Sequence, residues 1–397
     1  AETRRLLLEQ LAAHPDGGER LSEMERVEAL ARRRRFAWVT WGVVALCVVG
    51  TIIQIRDPLV QQVGTFIPEL FGRGELWRGI SSHFLHAMPG FPLHLALNVG
   101  GLLVLGHLVE RPLGPWRTVI LLGLGAAGSV VGILLYDYPE VLGSSGLVAA
   151  LAGGLLALEL HHPDALPAQW RLPRRLFIGA LIAQLVLDQL LGSVLAGGAH
   201  LGGFAGGYVA VRLLGRPSVE AIESTPRDRF AAAAVLAILV FGLLGGVPLA
   251  RLEPAALERH AARLLDAPSQ LHLALHENTA AWFLATEGEP GSEELGLAVA
   301  LADRAVSSTG RMQPDYLDTL AEALFQAGDR LGALLTIDEA IRLMPYEPYF
   351  LEQRRRFTGQ RDPDDRPPPP GSRPDRDGSG SGEPEPLLDP DAPVLVI

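Results

Sequence analysis

Three polar clusters interrupt otherwise apolar stretches of this chain, and their residue types suit the breaking of an amide bond. Ser145 stands in the run Gly143, Ser144, Ser145, Gly146; His200 follows Ala199 and precedes Gly202 and Gly203. His94 and Asn98 are four apart, which puts them on one face of a helix. A serine hydroxyl is a weak nucleophile until a base takes its proton, and a neutral imidazole is the usual base. At a helix N-terminus the serine also meets free backbone N–H groups and the positive end of the dipole. Attack on a carbonyl leaves negative charge on its oxygen, and His94 and Asn98 bring side-chain donors for it. Each feature has a plainer reading: serine packs into helix contacts, and a histidine among apolar residues can simply hold a hydrogen bond. Ser144 is the neighbouring hydroxyl, and no G-x-S-x-G elbow exists because Leu147 takes the last glycine's place. His83, His86 and His94 have no carboxylate or cysteine at ligand spacing, and no H-E-x-x-H occurs, so no metal and no cofactor are expected.

The elements that must carry these residues are read from apolar runs. Seven fall between residues 36 and 250: Phe36–Ile55, Leu93–Val109, Thr118–Tyr136, Ser145–Leu160, Leu176–Leu195, His200–Leu214 and Phe230–Leu249. Several approach the roughly 20 residues that cross a hydrocarbon core of about 30 Å. The sequence therefore predicts a polytopic, all-α membrane bundle. Arg32–Arg35 before the first run place the N-terminus in the cytoplasm, and Arg111, Arg117, Arg171, Arg174, Arg175, Arg212, Arg216, Arg227 and Arg229 fall on the same side. The loops Asp137–Gly143 and Ala196–Ala199 carry no arginine and face outward. An odd number of spans puts everything after residue 250 outside the cytoplasm. In this topology the second, fourth and sixth runs all start on the outer side, so the three clusters share one level. The fourth and sixth runs, at ~1.5 Å per residue, span about 24 and about 22 Å. Ser145 and His200 are therefore expected below the outer surface, beside a wet pocket that tolerates non-helical backbone. Gly203 and Gly207 on one run, with Gly146, Ala150 and Gly154 on the other, allow the close approach that a serine–histidine bond needs.

Hydrophobic residues make up 48% of the 397 and charged ones 20%, the balance of a chain that buries or embeds its surface rather than a disordered one. A single cysteine, Cys47, excludes a disulfide framework and thiolate metal sites, and a net charge of -11 excludes nucleic acid as partner. All basic residues are arginine, and 14 of them stand against 26 carboxylates after residue 250. Five segments are expected: a cytoplasmic 1–35 with no apolar leader core, a six-span core over 36–215, a cytoplasmic loop and seventh span over 216–250, an extracytoplasmic helical domain over 251–357, and a disordered Pro-, Gly- and Asp-rich tail over 358–397. Within the helical domain, Leu317, Leu320, Ala321, Leu324, Gly328, Ala333, Ala340 and Pro345 follow the spacing of one 34-residue tetratricopeptide-type repeat beginning near Pro314. Asn278–Gly310 resembles a preceding copy, with Trp282, Ala298 and Ala305 in matching places. Such hairpins present a surface for a protein partner.

The ordered set H-x-x-x-N (His94, Asn98), G-x-S-G (Gly143–Gly146) and A-H-x-x-G-x-x-x-G (Ala199–Gly207) resembles the rhomboid family of intramembrane serine proteases. The family's Trp-Arg pair in the first loop is matched by Trp77 and Arg78, and its Gly-x-x-x-Glu by Gly106 and Glu110. The resemblance covers about residues 36–215, with the seventh span completing a six-plus-one arrangement. It implies a Ser145/His200 dyad without a third acid, an oxyanion held by the Ser145 N–H, His94 and Asn98, and hydrolysis in or near transmembrane segments of protein substrates. It also implies a multi-pass protein of a bacterial inner membrane, embedded in the lipid bilayer. His86 lies further from His94 than the family's pattern has it, across Met88–Pro92. Two rival classes are a catalytically silent rhomboid-like protein that binds membrane clients and a small-solute transporter; two similar halves with interrupted helices, which the latter calls for, are not seen. Asp188, between Gln184 and Gln189 in the fifth run, is assigned only the acceptance of hydrogen bonds inside the bundle.

Overall fold

A computed structural model describes residue 9, residues 14–19, 21, 22, 24 and 25, and residues 36–86, 92–136, 138–163, 171, 173–190, 195–215 and 224–367. The arginine run 32–35 that sets the expected orientation, the segment 87–91 and the tail beyond 367 lie outside the described residues. The described chain is helical throughout, with an isolated antiparallel bridge between Phe66 and Val141. It divides into two compact units at Gly246.

In the first unit the long helices are α1 Trp38–Arg56, α2 Leu93–Leu113, α3 Pro115–Tyr136, α4 Ser145–His161, α5 Arg174–Leu190, α6 Gly197–Leu214 and α7 Pro226–Leu244. Helices α1, α2, α3 and α7 with its continuation to Ala250 are long and apolar enough to cross a bilayer. The protein is an integral membrane protein of all-α architecture. Helix α4 falls just short of spanning length and occupies the middle of the bundle, packed by α2, α3 and α6. Its composition explains its place: Ala150, Gly153, Gly154 and Ala157 alternate with Leu147, Leu151, Leu155 and Leu158, so it is apolar all round and buried along most of its length. Lipid is as apolar as leucine, so close packing rather than water exclusion joins these helices. A Cβ at Gly207 would strike the Ala150 carbonyl, and one at Gly203 the Gly146 carbonyl, which is how α6 comes against α4.

Helix boundaries differ from the sequence reading in one functional respect. The sixth helix starts at Gly197 rather than at His200, because Ser129 of α3 donates to the Ala199 carbonyl at 2.9 Å and the Gly198 N–H is held by the Tyr138 hydroxyl at 3.0 Å. His200 thus sits one turn inside the helix. The long loop before α2 is a folded layer of short helical turns. Arg78 is fully buried there, bonded to Glu75 at 2.6 Å and to the carbonyls of Gln62 and Thr65. The Trp77 indole donates to the Val63 carbonyl at 3.0 Å. The motif Gly106-x-x-x-Glu110 also has a plain mechanical meaning. Gly106 admits Thr40, and the Glu110 carboxylate accepts the Val39 and Thr40 N–H groups at 3.0 and 2.8 Å, capping the first turn of α1.

The second unit is made of α8 Pro254–Asp266, α9 Ala274–Thr286, α10 Ser292–Ser308, α11 Pro314–Gln326, α12 Arg330–Leu343 and α13 Pro348–Thr358. Helices α9 and α10 form one hairpin and α11 and α12 the next, with α8 and α13 flanking them. Gly328, at φ +87°, makes the tight turn between α11 and α12. An alanine- and leucine-rich interior, including Ala281, Ala302, Leu301, Leu317 and Ala321, lets the helices approach closely.

Candidate active site

Helix α4 begins with Ser145 at its first position. The turn leading into it depends on Gly143, whose φ of +126° suits glycine and whose N–H is fixed by the Ser82 carbonyl at 2.9 Å. Ser144 is the residue before the helix and is fully buried; its hydroxyl lies 3.5 Å from His86 Nε2. Ser145 is partly exposed and points the other way, its Oγ 2.8 Å from His200 Nε2. The structure therefore separates the two neighbouring hydroxyls: one faces a buried loop histidine, the other the imidazole of α6.

His200 is engaged on both sides. Its Nδ1 lies 2.9 Å from Asp188 Oδ1, and Asp188 is itself only 4% exposed. A carboxylate cannot donate, so Nδ1 carries the hydrogen and Nε2 is left as an acceptor facing Ser145. Gln184, one turn earlier on α5, donates to the same Asp188 oxygen at 2.8 Å. Asp188 Oδ2 is buried with no hydrogen-bond partner among the described residues. The resemblance had implied no third acid; the structure sets a carboxylate against the far nitrogen of the imidazole. Sequence spacing missed it because Asp188 and His200 are on different helices, although an ionisable group at membrane depth was itself a signal.

His94 and Asn98 lie on α2, which packs directly against α4. Asn98 is buried and its amide donates to the His94 carbonyl at 3.0 Å. Both ring nitrogens of His94 are buried without a hydrogen-bond partner among the described residues. Leaving such a group unpaired costs about 1–3 kcal/mol. The His94 ring stands edge-on to His86, centroids 5.2 Å apart. His86 is anchored to α1, its Nδ1 3.3 Å from Thr51 Oγ1 and its backbone N–H and carbonyl both bonded to the Gln54 amide. The link from loop histidine to α2 is thus made by ring contact despite the long spacing, and His86, Thr51 and Gln54 are supporting residues that the sequence did not single out.

The arrangement can do acyl-transfer chemistry. It offers a helix-borne hydroxyl, an imidazole nitrogen within hydrogen-bond reach of it, and a carboxylate on the imidazole's other nitrogen. Residues 73–217 match the family model described as "Rhomboid domain". Over 183 residues the chain is 28% identical to "Rhomboid protease GluP" of Bacillus subtilis (strain 168). That stretch covers 44% of this chain and 32% of the relative, so the chain matches about a third of that protein's length.

Proposed function

We propose that this chain, whose residues 73–217 match the rhomboid family model, is an intramembrane serine protease that hydrolyses peptide bonds in or near transmembrane segments of protein substrates. The observation that supports this most is the 2.8 Å contact between Ser145 Oγ and His200 Nε2 at the start of a buried helix. In this reading Ser145 Oγ attacks the scissile carbonyl carbon while its proton passes to His200 Nε2. The Asp188 carboxylate, on the Nδ1 side, steadies the resulting imidazolium and holds the ring in its tautomer. Oxyanion charge falls where the Ser145 N–H, free of any carbonyl within its own helix, and the His94 ring donate, with Asn98 fixing the turn that carries His94. The imidazolium then returns its proton to the departing amine, and a water repeats the sequence on the acyl-enzyme. Asp188 is a positioning residue: it acts through His200.

The same reading places the protein in a bacterial inner membrane with the N-terminus cytoplasmic and the repeat unit outside. The Trp77–Arg78 pair and the folded loop around it would then support the outer end of the site. The test is cleavage of a fluorogenic transmembrane substrate in proteoliposomes. Ser145→Ala and His200→Ala should each abolish cleavage while melting within about 2 °C of the parent protein, a small shift on the scale of a 1 kcal/mol change. Undiminished turnover by either variant would overturn the reading in favour of a silent client-binding protein.

A further inference from the structure

The second unit gathers a cluster of charged and aromatic side chains on one face. Helix α11 contributes Asp318 and Glu322, one turn apart; α13 contributes Tyr349, Gln353 and Arg356; α9 contributes Trp282. Glu322 and Arg356 are both fully buried, and the Arg356 guanidinium bonds both oxygens of Glu322 at 2.7 and 2.6 Å. Asp318 accepts from the Tyr349 hydroxyl at 2.8 Å and from Gln353 at 3.0 Å. Within the cluster Arg356 is the arginine that faces Glu322 from the helices themselves.

The second cation comes from outside the helices. Gly359, at φ +79°, ends α13 and turns the chain back. Arg361 then pairs with Glu352 at 2.9 Å and Asp365 at 2.7 Å, and a turn closes from the Asp365 N–H to the Asp362 carbonyl. This carries Arg366 over α11 to α9. Its guanidinium lies 3.1 Å from Glu322 Oε1, with its central carbon 5.7 Å from the centre of the Trp282 ring, and Pro367 behind it is buried. A carboxylate below and an indole alongside are two features that recognise a guanidinium. The ion pairs tethering the strap are substantially exposed and screened by water, so they hold it only weakly.

We propose that the face formed by Trp282 and Glu322 is a binding groove for an extended segment bearing an Arg-Pro pair, and that Arg366 and Pro367 fill it in cis. A tether of this length gives an effective concentration on the order of 1 mM. A trans segment with an intrinsic Kd near ~0.1 mM would then bind about tenfold more weakly while the strap is seated.

The probe is a fluorescein-labelled peptide with the sequence of residues 361–370, RDPDDRPPPP, titrated by anisotropy against the full chain in nanodiscs. Arg366→Ala should bind it about tenfold more tightly than the wild-type chain does. Replacing the probe's second arginine by citrulline, which is neutral and of the same shape, should remove binding, as should Trp282→Ala combined with Arg366→Ala. Equal binding by wild type and Arg366→Ala, equal binding of the citrulline probe, or no binding to Arg366→Ala at about 1 mM probe would each overturn the groove. None of these outcomes depends on proteolysis, so the groove and the protease stand or fall separately.

Discussion

Asp188 gives the sharpest test of how the site works, because its contribution can be estimated from geometry. Its Oδ1 lies 2.9 Å from His200 Nδ1, Gln184 shares that oxygen, and the carboxylate is 4% exposed. In the proposed reaction, when Ser145 gives up its proton the bond becomes one between a carboxylate and an imidazolium. A hydrogen bond to a charged partner is worth about 1.5–3 kcal/mol, which is about 10- to 150-fold in rate. Asp188→Ala should therefore lower kcat by that factor. Asp188→Asn should cost more, on the order of 10²–10⁴-fold, because an amide can donate to Nδ1 and drive the ring hydrogen to Nε2, where it opposes Ser145. Neither change touches bound substrate, so KM should stay within about threefold. The assay is steady-state cleavage of a transmembrane substrate in proteoliposomes, with the rate of fluorophosphonate labelling of Ser145 as a substrate-independent second readout. A merely structural aspartate would lower folded yield and leave the labelling rate per folded molecule unchanged. A kcat for Asp188→Ala within threefold of wild type would refute the reasoning.

Three further outcomes follow from the packing. Gly203→Ala would drive a methyl against the Gly146 carbonyl and the Ser129 hydroxyl, forcing α6 from α4; it should cut fluorophosphonate labelling at least about 100-fold and cost about 1–3 kcal/mol in thermal unfolding. Glu110→Ala removes the cap from the first turn of α1 and should destabilise by about 1–2 kcal/mol, read as a lower melting temperature with kcat little changed in the surviving fold. In the second unit, burial pushes the Asp318 carboxyl up to about 7, with neighbouring Glu322 adding to it against the hydrogen bonds from Tyr349 and Gln353. The folded form then holds a proton that the unfolded chain has released above about pH 4. The stability this contributes is full below pH 4 and is lost as the pH rises to about 7. Hydrogen exchange of the α11 and α13 amides should therefore be slower at pH 5 than at pH 8 after correction for intrinsic rates, and Asp318→Asn should flatten the difference.

Much of the candidate site could be read from the chain because its residues lie in short local runs. Gly143–Gly146 and Ala199–Gly203 each join a candidate side chain to the small residues that let its helix approach a neighbour, so polar group and packing coincide in one short run. His94 and Asn98 were legible as an i, i+4 pair for the same reason. What escaped the sequence depends on three-dimensional pairing. Asp188 meets His200 across two helices, and His86 reaches His94 by ring contact across an irregular loop. The start of α6 moved back to Gly197 because Ser129 and Tyr138, distant in sequence, hold its first turn. In the second unit the repeat spacing foretold the α11–α12 hairpin. It carried no sign that residues 359–367 would turn back to set Arg366 on Glu322, since that path rests on a glycine turn and on pairs made only after folding.

The central claim is that the Ser145 hydroxyl is activated by His200. Its most direct measurement is mass-spectrometric mapping of the adduct formed by a fluorophosphonate probe on the membrane-embedded protein. The expected result is a single phosphonylated residue, Ser145, formed in the wild-type chain and at least about 1000-fold more slowly in His200→Ala, the loss typical of removing a serine's base. An adduct on Ser144, or one on Ser145 that forms as fast without His200, would contradict it.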